Sequence, residues 1–213
     1  MSDKKRESSR IQKARAKAME ASTRQKVWTY QEYLKLDDGN RYEIIGGELI
    51  MSPSPGSMHQ FAAENLSFIL GQHVRKKSSG RICYAPIDVV FNEGTPEEET
   101  VQPDILFIAG ANTQIIKPRG IFGSPDLIVE IISPSSQYRD TVVKKAIYEK
   151  NKVAEYWLVD PYMKSIVVLT LAGKEEYELF SQGSLAEDTI KQKTSVNSKI
   201  LPGLTVKLEE VFI

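Results

Sequence analysis

The chain has 213 residues, of which 41% are hydrophobic, with 28 basic and 28 acidic residues and a formal net charge of zero. This length and composition are typical of one globular domain with a tail, and the zero net charge means that any contact with nucleic acid must come from a local patch. The single cysteine, Cys83, excludes an internal disulfide and a cysteine-rich zinc site and favours the cytoplasm, and no apolar run approaches the roughly 20 residues that span a bilayer.

The N-terminal segment Met1–Lys26 differs in composition from the rest of the chain. It contains nine Lys or Arg against three acids, which gives a local charge of +6. Its apolar residues are few and small, so we expect a disordered tail followed by one folded domain over residues 27–213. The tail has no apolar stretch that would make it a secretory signal. Two interpretations stay open: an arm that binds nucleic acid by counterion release, or a solvated tail.

Hydrophobic patterns predict helices and strands in mixed order along the domain. A short helix over Trp28–Leu36, with Thr29 as N-cap, precedes a hairpin of Tyr42–Ile45 and Glu48–Met51 around Gly46-Gly47. The next predicted elements are a helix (58–77), three strands (81–91, 101–108 and 126–132), a helix (138–150) and a strand (155–160). Short C-terminal strands (165–171, 176–180 and 204–208) extend the sheet and offer a surface for a homodimer. This order, αβββαβ at its centre, predicts an α/β fold with a mixed β-sheet flanked by helices.

Two of the predicted strands each carry one acid among apolar residues. Asp104 shares a strand face with Leu106 and Ile108, and Glu130 shares one with Ile128 and Ile132. Ionised carboxylates in such surroundings are costly unless they are paired, hydrogen-bonded or bound to a cation, and a hard divalent ion suits two of them. The alternative is that Asp104 caps the start of its strand and Glu130 pairs with a basic residue.

Several short motifs occur in one order from about Trp28 to the C-terminus. They are YEIIGGELIM at residues 42–51, PSP with HQ at 53–60, QPD at 102–104, EIISP at 130–134 and EYWLVDP at 155–161. In this order they resemble the Uma-two (Uma2) family of restriction-endonuclease-like proteins, a branch of the PD-(D/E)XK nuclease superfamily. The resemblance implies a restriction-endonuclease-like core and a site in which Asp104 and Glu130 hold Mg²⁺ or Mn²⁺.

The superfamily motif expects a lysine two residues after the glutamate, where this chain has Ile132. The resemblance suggests that the following helix supplies it, since Asp140, Lys144 and Tyr148 are spaced to lie on one helical face. Lys144 is the candidate and Lys145 the neighbouring alternative, while a plain surface pair of Asp140 and Lys144 remains the simplest interpretation.

Other polar residues are further candidates, and the resemblance supports two of them, His59 and Glu48. His59 could orient a phosphate or a water, or tune a carboxylate, although local hydrogen bonds could equally satisfy it. Glu48 could add a carboxylate to the metal site or be an exposed strand residue. Asp88 is a candidate neighbouring acid. Lys117 and Arg119, in the predicted loop 109–124, could contact a phosphate backbone or be solvated.

The resemblance implies metal-dependent hydrolysis of phosphodiester bonds in nucleic acid, most simply DNA. Asp104 and Glu130 would hold the ion, and Lys144 would orient a water or stabilise charge. Two other functions stay open. One is a catalytically inactive module on the same fold that binds nucleic acid or protein, and the other is a purely structural homodimer.

Overall fold

The computed structural model describes residues 26–173, 175–186 and 193–212. The predicted tail, except Lys26, therefore lies outside the described residues. The helices are α1 (Tyr30–Tyr33), α2 (Ser57–Lys77), α3 (Lys145–Lys150) and α4 (Leu208–Val211), with a 3₁₀ helix at Gly110–Ile115 and a π-helix at Arg139–Lys144. The strands are β1 (Tyr42–Ile45), β2 (Glu48–Met51), β3 (Gly80–Tyr84), β4 (Val89–Phe91), β5 (Glu99–Val101), β6 (Ile105–Ala109), β7 (Ile116–Lys117), β8 (Gly120–Phe122), β9 (Leu127–Ile131), β10 (Glu155–Asp160), β11 (Ser165–Leu171), β12 (Tyr177–Ser184), β13 (Ser195–Asn197) and β14 (Thr205–Lys207).

The strands form two large sheets and one small one. The central sheet has the order β12-β11-β10-β9-β6-β3, the hairpin sheet has the order β2-β1-β5-β4-β8-β7, and β13 pairs with β14. In the central sheet β9 and β10 are parallel and the other neighbours are antiparallel. The predicted α/β fold with a mixed sheet flanked by helices is confirmed, and its αβββαβ core is α2-β3-β6-β9-α3-β10.

Two predicted strands are each divided between the sheets, which corrects the predictions for 81–91 and 101–108. In the first, β3 pairs in the central sheet and β4 in the hairpin sheet, with Pro86 between them. In the second, β5 lies in the hairpin sheet and β6 in the central sheet, with Pro103 between them. Proline has no N–H for a strand ladder, so pairing ends at these positions and the chain changes sheets.

The predicted N-cap and the predicted loop have different outcomes. Thr29 is the N-cap of α1, where its hydroxyl accepts from the Glu32 N–H in a capping box. The predicted loop 109–124 was wrong in part, because it contains the 3₁₀ helix and the β7–β8 hairpin. No helix in the described part of the chain is long and apolar enough to cross a membrane.

The central sheet has a buried apolar cluster on each face, because successive strand residues point to opposite sides. On one face, Ile105, Phe107 and Trp157 pack with residues of α2 and of the C-terminal segment. On the other, Leu106 and Ile128 pack with strands of the hairpin sheet and with Tyr148 of α3. The second face is the one that Asp104 and Glu130 share with their neighbours Leu106 and Ile128.

Candidate functional site

Asp104 and Glu130 lie side by side at one end of the central sheet. Strands β6 and β9 are antiparallel, with Ile105 opposite Val129, so the same register places Asp104 opposite Glu130. The Ile131 N–H donates to Asp104 Oδ2 over 2.8 Å. Residues directly opposite in antiparallel strands have neighbouring side chains on the same face. The two acids, 26 positions apart in the sequence, therefore share one location.

Lys144 occupies the centre of this site. Its Nζ lies 2.9 Å from Glu130 Oε1, 2.7 Å from Glu43 Oε1 and 3.9 Å from Asp140 Oδ1. Only 4% of Lys144 is exposed, so it does not form the surface pair with Asp140 that was the simplest interpretation. Lys145 instead pairs with Glu149 on a partly exposed part of the helix. Of the two candidate lysines, the structure brings Lys144 to the acids.

The local helix geometry explains how a lysine reaches the sheet. Residues Arg139–Lys144 form a π-helix that continues into α3. Asp140 and Lys144 are buried in the π-helix, and Tyr148 is buried in α3. π-Helical turns are rare and are often found at functional sites. The Tyr148 hydroxyl donates to Glu130 Oε1 over 2.5 Å, so this oxygen accepts from both the lysine and the tyrosine.

The hairpin acid that contacts Lys144 is Glu43. Glu48 is exposed beside the Gly46-Gly47 turn, whereas Glu43, two strand positions farther from the turn, is 2% exposed and contacts Lys144. The other contacts of Glu43 are with the Gln102 N–H at 2.9 Å and the Arg139 guanidinium at 3.3 Å. The available signal was that a residue flanking a turn is usually exposed, which favours Glu43 over Glu48 for a buried role.

His59, in the first turn of α2, joins the site through its contact with Asp104. Its Nε2 lies 3.1 Å from Asp104 Oδ2, a contact between residues far apart in the sequence rather than the local bonding that was the alternative. Its Nδ1 is buried and has no hydrogen-bond partner among the described residues. A cavity of about 420 Å³ opens beside this pair, between α2 and the end of β3. With 17% of the Asp104 side chain and 14% of the His59 side chain exposed, this is the accessible edge of the site.

The charges at the site do not balance. We use the name acidic cluster for Glu43, Asp104, Glu130 and Asp140, whose contacts include two permanent cations, Lys144 and Arg139. Four carboxylates against two cations leave a formal excess of two negative charges when all the acids are ionised and His59, which contacts Asp104, is neutral. Excess charge in a buried site must be removed by protonation or by a bound cation.

The ionisation of Glu130 and Lys144 reflects this imbalance. Burial raises the pKa of Glu130 well above its ordinary value, and the carboxylates of Asp140, Asp104 and Glu43 add to the rise, while Lys144 acts against it. Burial by itself lowers the pKa of Lys144, but the surrounding acids Glu130, Glu43 and Asp140 raise it by more. Lys144 is therefore a permanent cation, and Glu130 is the acid that a proton or another cation would stabilise.

The donor set fits a hard divalent cation. Asp104 receives its hydrogen bonds on Oδ2 and Glu130 on Oε1, which leaves one oxygen of each carboxylate as a ligand. Within residues 26–173, 175–186 and 193–212, no three or more His, Cys, Asp or Glu side chains are grouped to hold a metal. A small ion held by two carboxylates, with water and substrate phosphate as further ligands, needs no such group.

The remaining predicted residues lie outside the acidic cluster. Asp88 accepts from Gln102 Nε2 at 2.7 Å and from the Tyr30 hydroxyl at 3.2 Å, and burial raises its pKa. Lys117 and Arg119 are exposed on the β7–β8 hairpin. The structure does not bring these two basic residues to the cluster.

The model of the Uma2 family, described as "Putative restriction endonuclease", matches residues 30–208. The chain belongs to this Uma2 family. The match spans the hairpin, the acidic cluster and all the described strands, and it confirms the resemblance found in the sequence motifs. No curated protein matches the chain.

A solved crystal structure has a similar fold. It is described as that of a putative nuclease belonging to DUF820 from Anabaena variabilis, and it matches with a TM-score of 0.65 and 19% identity. The match covers 87% of this Uma2 chain and 97% of the other chain. At this identity the likeness establishes the shared fold alone.

Proposed function

We propose that this Uma2 protein is a metal-dependent nuclease that hydrolyses phosphodiester bonds in DNA. The observation that carries the proposal is the convergence of Asp104, Glu130 and Lys144 at one point with an excess of buried negative charge. An ion pair with a purely structural role needs only as many acids as cations. This site has two more acids than permanent cations. The family description and the related nuclease fold support the same reaction class.

Asp104 and Glu130 are the residues that would hold the ion, Mg²⁺ or Mn²⁺, because both are hard oxygen donors. When bound, such an ion lowers the pKa of water and neutralises charge that grows on the phosphate. His59 and the Ile131 N–H both contact Oδ2 of Asp104 and so fix the orientation of its carboxylate. Asp104 is also more exposed than Glu130, so we infer that substrate approaches from its side.

Lys144 is suited to orient the attacking water or to stabilise charge on the phosphate. An ammonium group has three N–H donors. The Lys144 Nζ lies 2.7 Å from Glu43 Oε1 and 2.9 Å from Glu130 Oε1, so these two acids use two of the donors. Asp140, at 3.9 Å, is too distant for a hydrogen bond, so the third donor is available to a water or a phosphate oxygen. Glu43 and Tyr148 hold this arrangement in place, because they contact Lys144 and Glu130 respectively.

The test is incubation of the purified 213-residue chain with plasmid DNA, single-stranded DNA and RNA in Mg²⁺ or Mn²⁺. We expect DNA cleavage that EDTA abolishes and that Asp104→Asn and Glu130→Gln each reduce by at least about 100-fold, or about 3 kcal/mol. Glu97→Gln, which changes an exposed acid in the loop after β4, is the matched control and should cleave like wild type. Folding of each variant is checked by circular dichroism.

Cleavage that survives EDTA, or that both site variants retain, would contradict the proposal. Binding of DNA without any cleavage in either metal would favour the inactive module on the same fold. Absence of both binding and cleavage would favour a purely structural role.

A further inference from the structure

The cavity beside Asp104 and His59 has two large exposed aromatic side chains on its walls. Phe68, on α2, is 65% exposed, and Tyr84, at the end of β3, is also 65% exposed. In the described part of the chain neither ring packs against another aromatic ring. Exposed aromatic faces beside a nucleic-acid site are platforms on which bases stack.

Both walls belong to rigid elements that are tied to the acid itself. Tyr84 pairs with Ile105 in the central sheet, and the next residue, Ala85, donates its N–H to the Asp104 carbonyl over 2.9 Å. Phe68 is nine residues after His59 on the same helix, which is about 13 Å along the axis at 1.5 Å per residue. The aromatic walls are therefore held at a fixed distance from the proposed cleavage point.

The lining of the cavity favours a neutral base over a phosphate. None of the nine described residues that line it is Lys or Arg, and two, Glu64 and Asp104, are acids. Gln60 and Ser67 also line it, and side chains of these types hydrogen-bond the edges of bases. The volume of about 420 Å³ is within the range of small-ligand pockets.

We propose that Phe68 and Tyr84 stack on unpaired bases near the scissile phosphate, so that the preferred substrate is single-stranded DNA. This inference rests on the proposed nuclease function and adds its substrate class. A base inside a duplex is already stacked on both faces and cannot enter such a cavity unless it is extruded. An unpaired strand has no such cost.

The chain offers matched variants for a test. Phe68→Leu and Tyr84→Leu remove a ring but keep an apolar side chain, and Tyr84→Phe keeps the ring. The control is Phe61→Leu, because Phe61 is a 54% exposed aromatic on the same helix that does not line this cavity. Binding is measured by fluorescence anisotropy with a labelled single-stranded DNA oligonucleotide and with the same oligonucleotide in a duplex, in EDTA to prevent cleavage.

We expect wild type to bind the single strand more tightly than the duplex. Phe68→Leu and Tyr84→Leu should each weaken single-strand binding by about 5- to 100-fold, while Phe61→Leu and Tyr84→Phe should bind like wild type. Binding through the basic N-terminal segment is common to all variants and cancels in this comparison. In Mg²⁺, the same two variants should lose cleavage of the single strand in proportion.

Equal affinity for single strand and duplex, or equal losses for Phe61→Leu and Phe68→Leu, would overturn this inference. If wild type then still cleaves duplex DNA, the nuclease function stands without it. If wild type cleaves nothing, the anisotropy result still decides the stacking role, because it needs no hydrolysis. Loss of a dimer in the two Leu variants, seen by sedimentation without a change in DNA affinity, would assign the aromatic pair to a contact between copies and overturn the inference.

Discussion

Two buried glutamates on adjacent strands of the central sheet have opposite surroundings. Glu155, on β10, is fully buried and accepts four hydrogen bonds, from Trp157 Nε1, Ser198 Oγ and the N–H groups of Lys199 and Ile200. Glu130, on β9, shares one lysine with two other acids, and burial raises its pKa. Both are costly to bury.

Burial alone therefore does not identify a functional acid. Neutral donors of the protein satisfy both oxygens of Glu155, so this residue needs nothing else and acts as a structural link between β10 and the C-terminal segment. At Glu130 the charge is left incompletely balanced within the protein.

Replacing Lys144 by Met should have the largest effect on folding. It leaves Glu43 and Glu130 buried without their nearest cation, and removing one partner of a buried ion pair typically costs about 3–5 kcal/mol. The free energy of unfolding from urea titrations should fall most at pH 8. It should fall less at pH 5, where protonation of the acids relieves the repulsion. The same loss at both pH values would contradict the charge argument.

Glu130→Gln should separate activity from stability. We expect cleavage to fall about 100- to 1,000-fold, which corresponds to about 3–4 kcal/mol, with no loss of folding stability at pH 8. The sign follows from linkage: the pKa of Glu130 lies above its ordinary value of 4.5 in the folded state, so wild-type stability falls as pH rises through the interval above 4.5. Glutamine does not titrate, so unfolding measured against pH should show a smaller fall in the variant.

Glu155→Gln should show the reverse behaviour. The amide NH₂ would face the N–H groups of Lys199 and Ile200 or the other donors, so at least one buried group loses its acceptor. We expect a loss of about 2–3 kcal/mol in the free energy of unfolding. Cleavage per folded molecule, assayed well below the unfolding temperature, should stay within about twofold of wild type. A cleavage defect as large as that of Glu130→Gln would remove the distinction between the two acids.

The smallest effects concern the hairpin acids. Glu43→Gln removes one charge beside Lys144, and we expect cleavage to fall by about 5- to 10-fold, or about 1 kcal/mol. Glu48→Gln, at the exposed position beside the turn, should change cleavage by less than about twofold. Single-turnover cleavage rates measure both, and a larger loss for Glu48→Gln would restore the original choice of hairpin acid.

The sequence was sufficient for the parts of the fold and the site that depend on local patterns. One acid in each of two apolar strands predicted that Asp104 and Glu130 lie among apolar side chains, where Glu130 is buried and Asp104 is partly exposed. The spacing of Asp140, Lys144 and Tyr148 predicted their common face. Glu43 was not chosen because its contact with Lys144 joins two elements far apart in the chain, which no local pattern reports.

The two sheets could not be separated for a similar reason. Pro86 and Pro103 mark where a ladder must stop, but they do not indicate which sheet the next residues join. The π-helix at Arg139–Lys144 was also not predicted, since its sequence has ordinary helical spacing. Three of the hydrogen bonds to Glu155 come from Ser198, Lys199 and Ile200. The local sequence of this segment does not indicate which strand it contacts.

In the proposed function, Asp104 and Glu130 together hold a divalent cation that offsets the excess charge of the acidic cluster. The most direct measurement is the anomalous difference map of a crystal of the wild-type protein soaked in Mn²⁺. We expect an anomalous peak within coordination distance of both carboxylates. This peak should be lost in crystals of the Asp104→Asn variant. A peak only at other sites, or two carboxylates that stay without metal at saturating Mn²⁺, would contradict it.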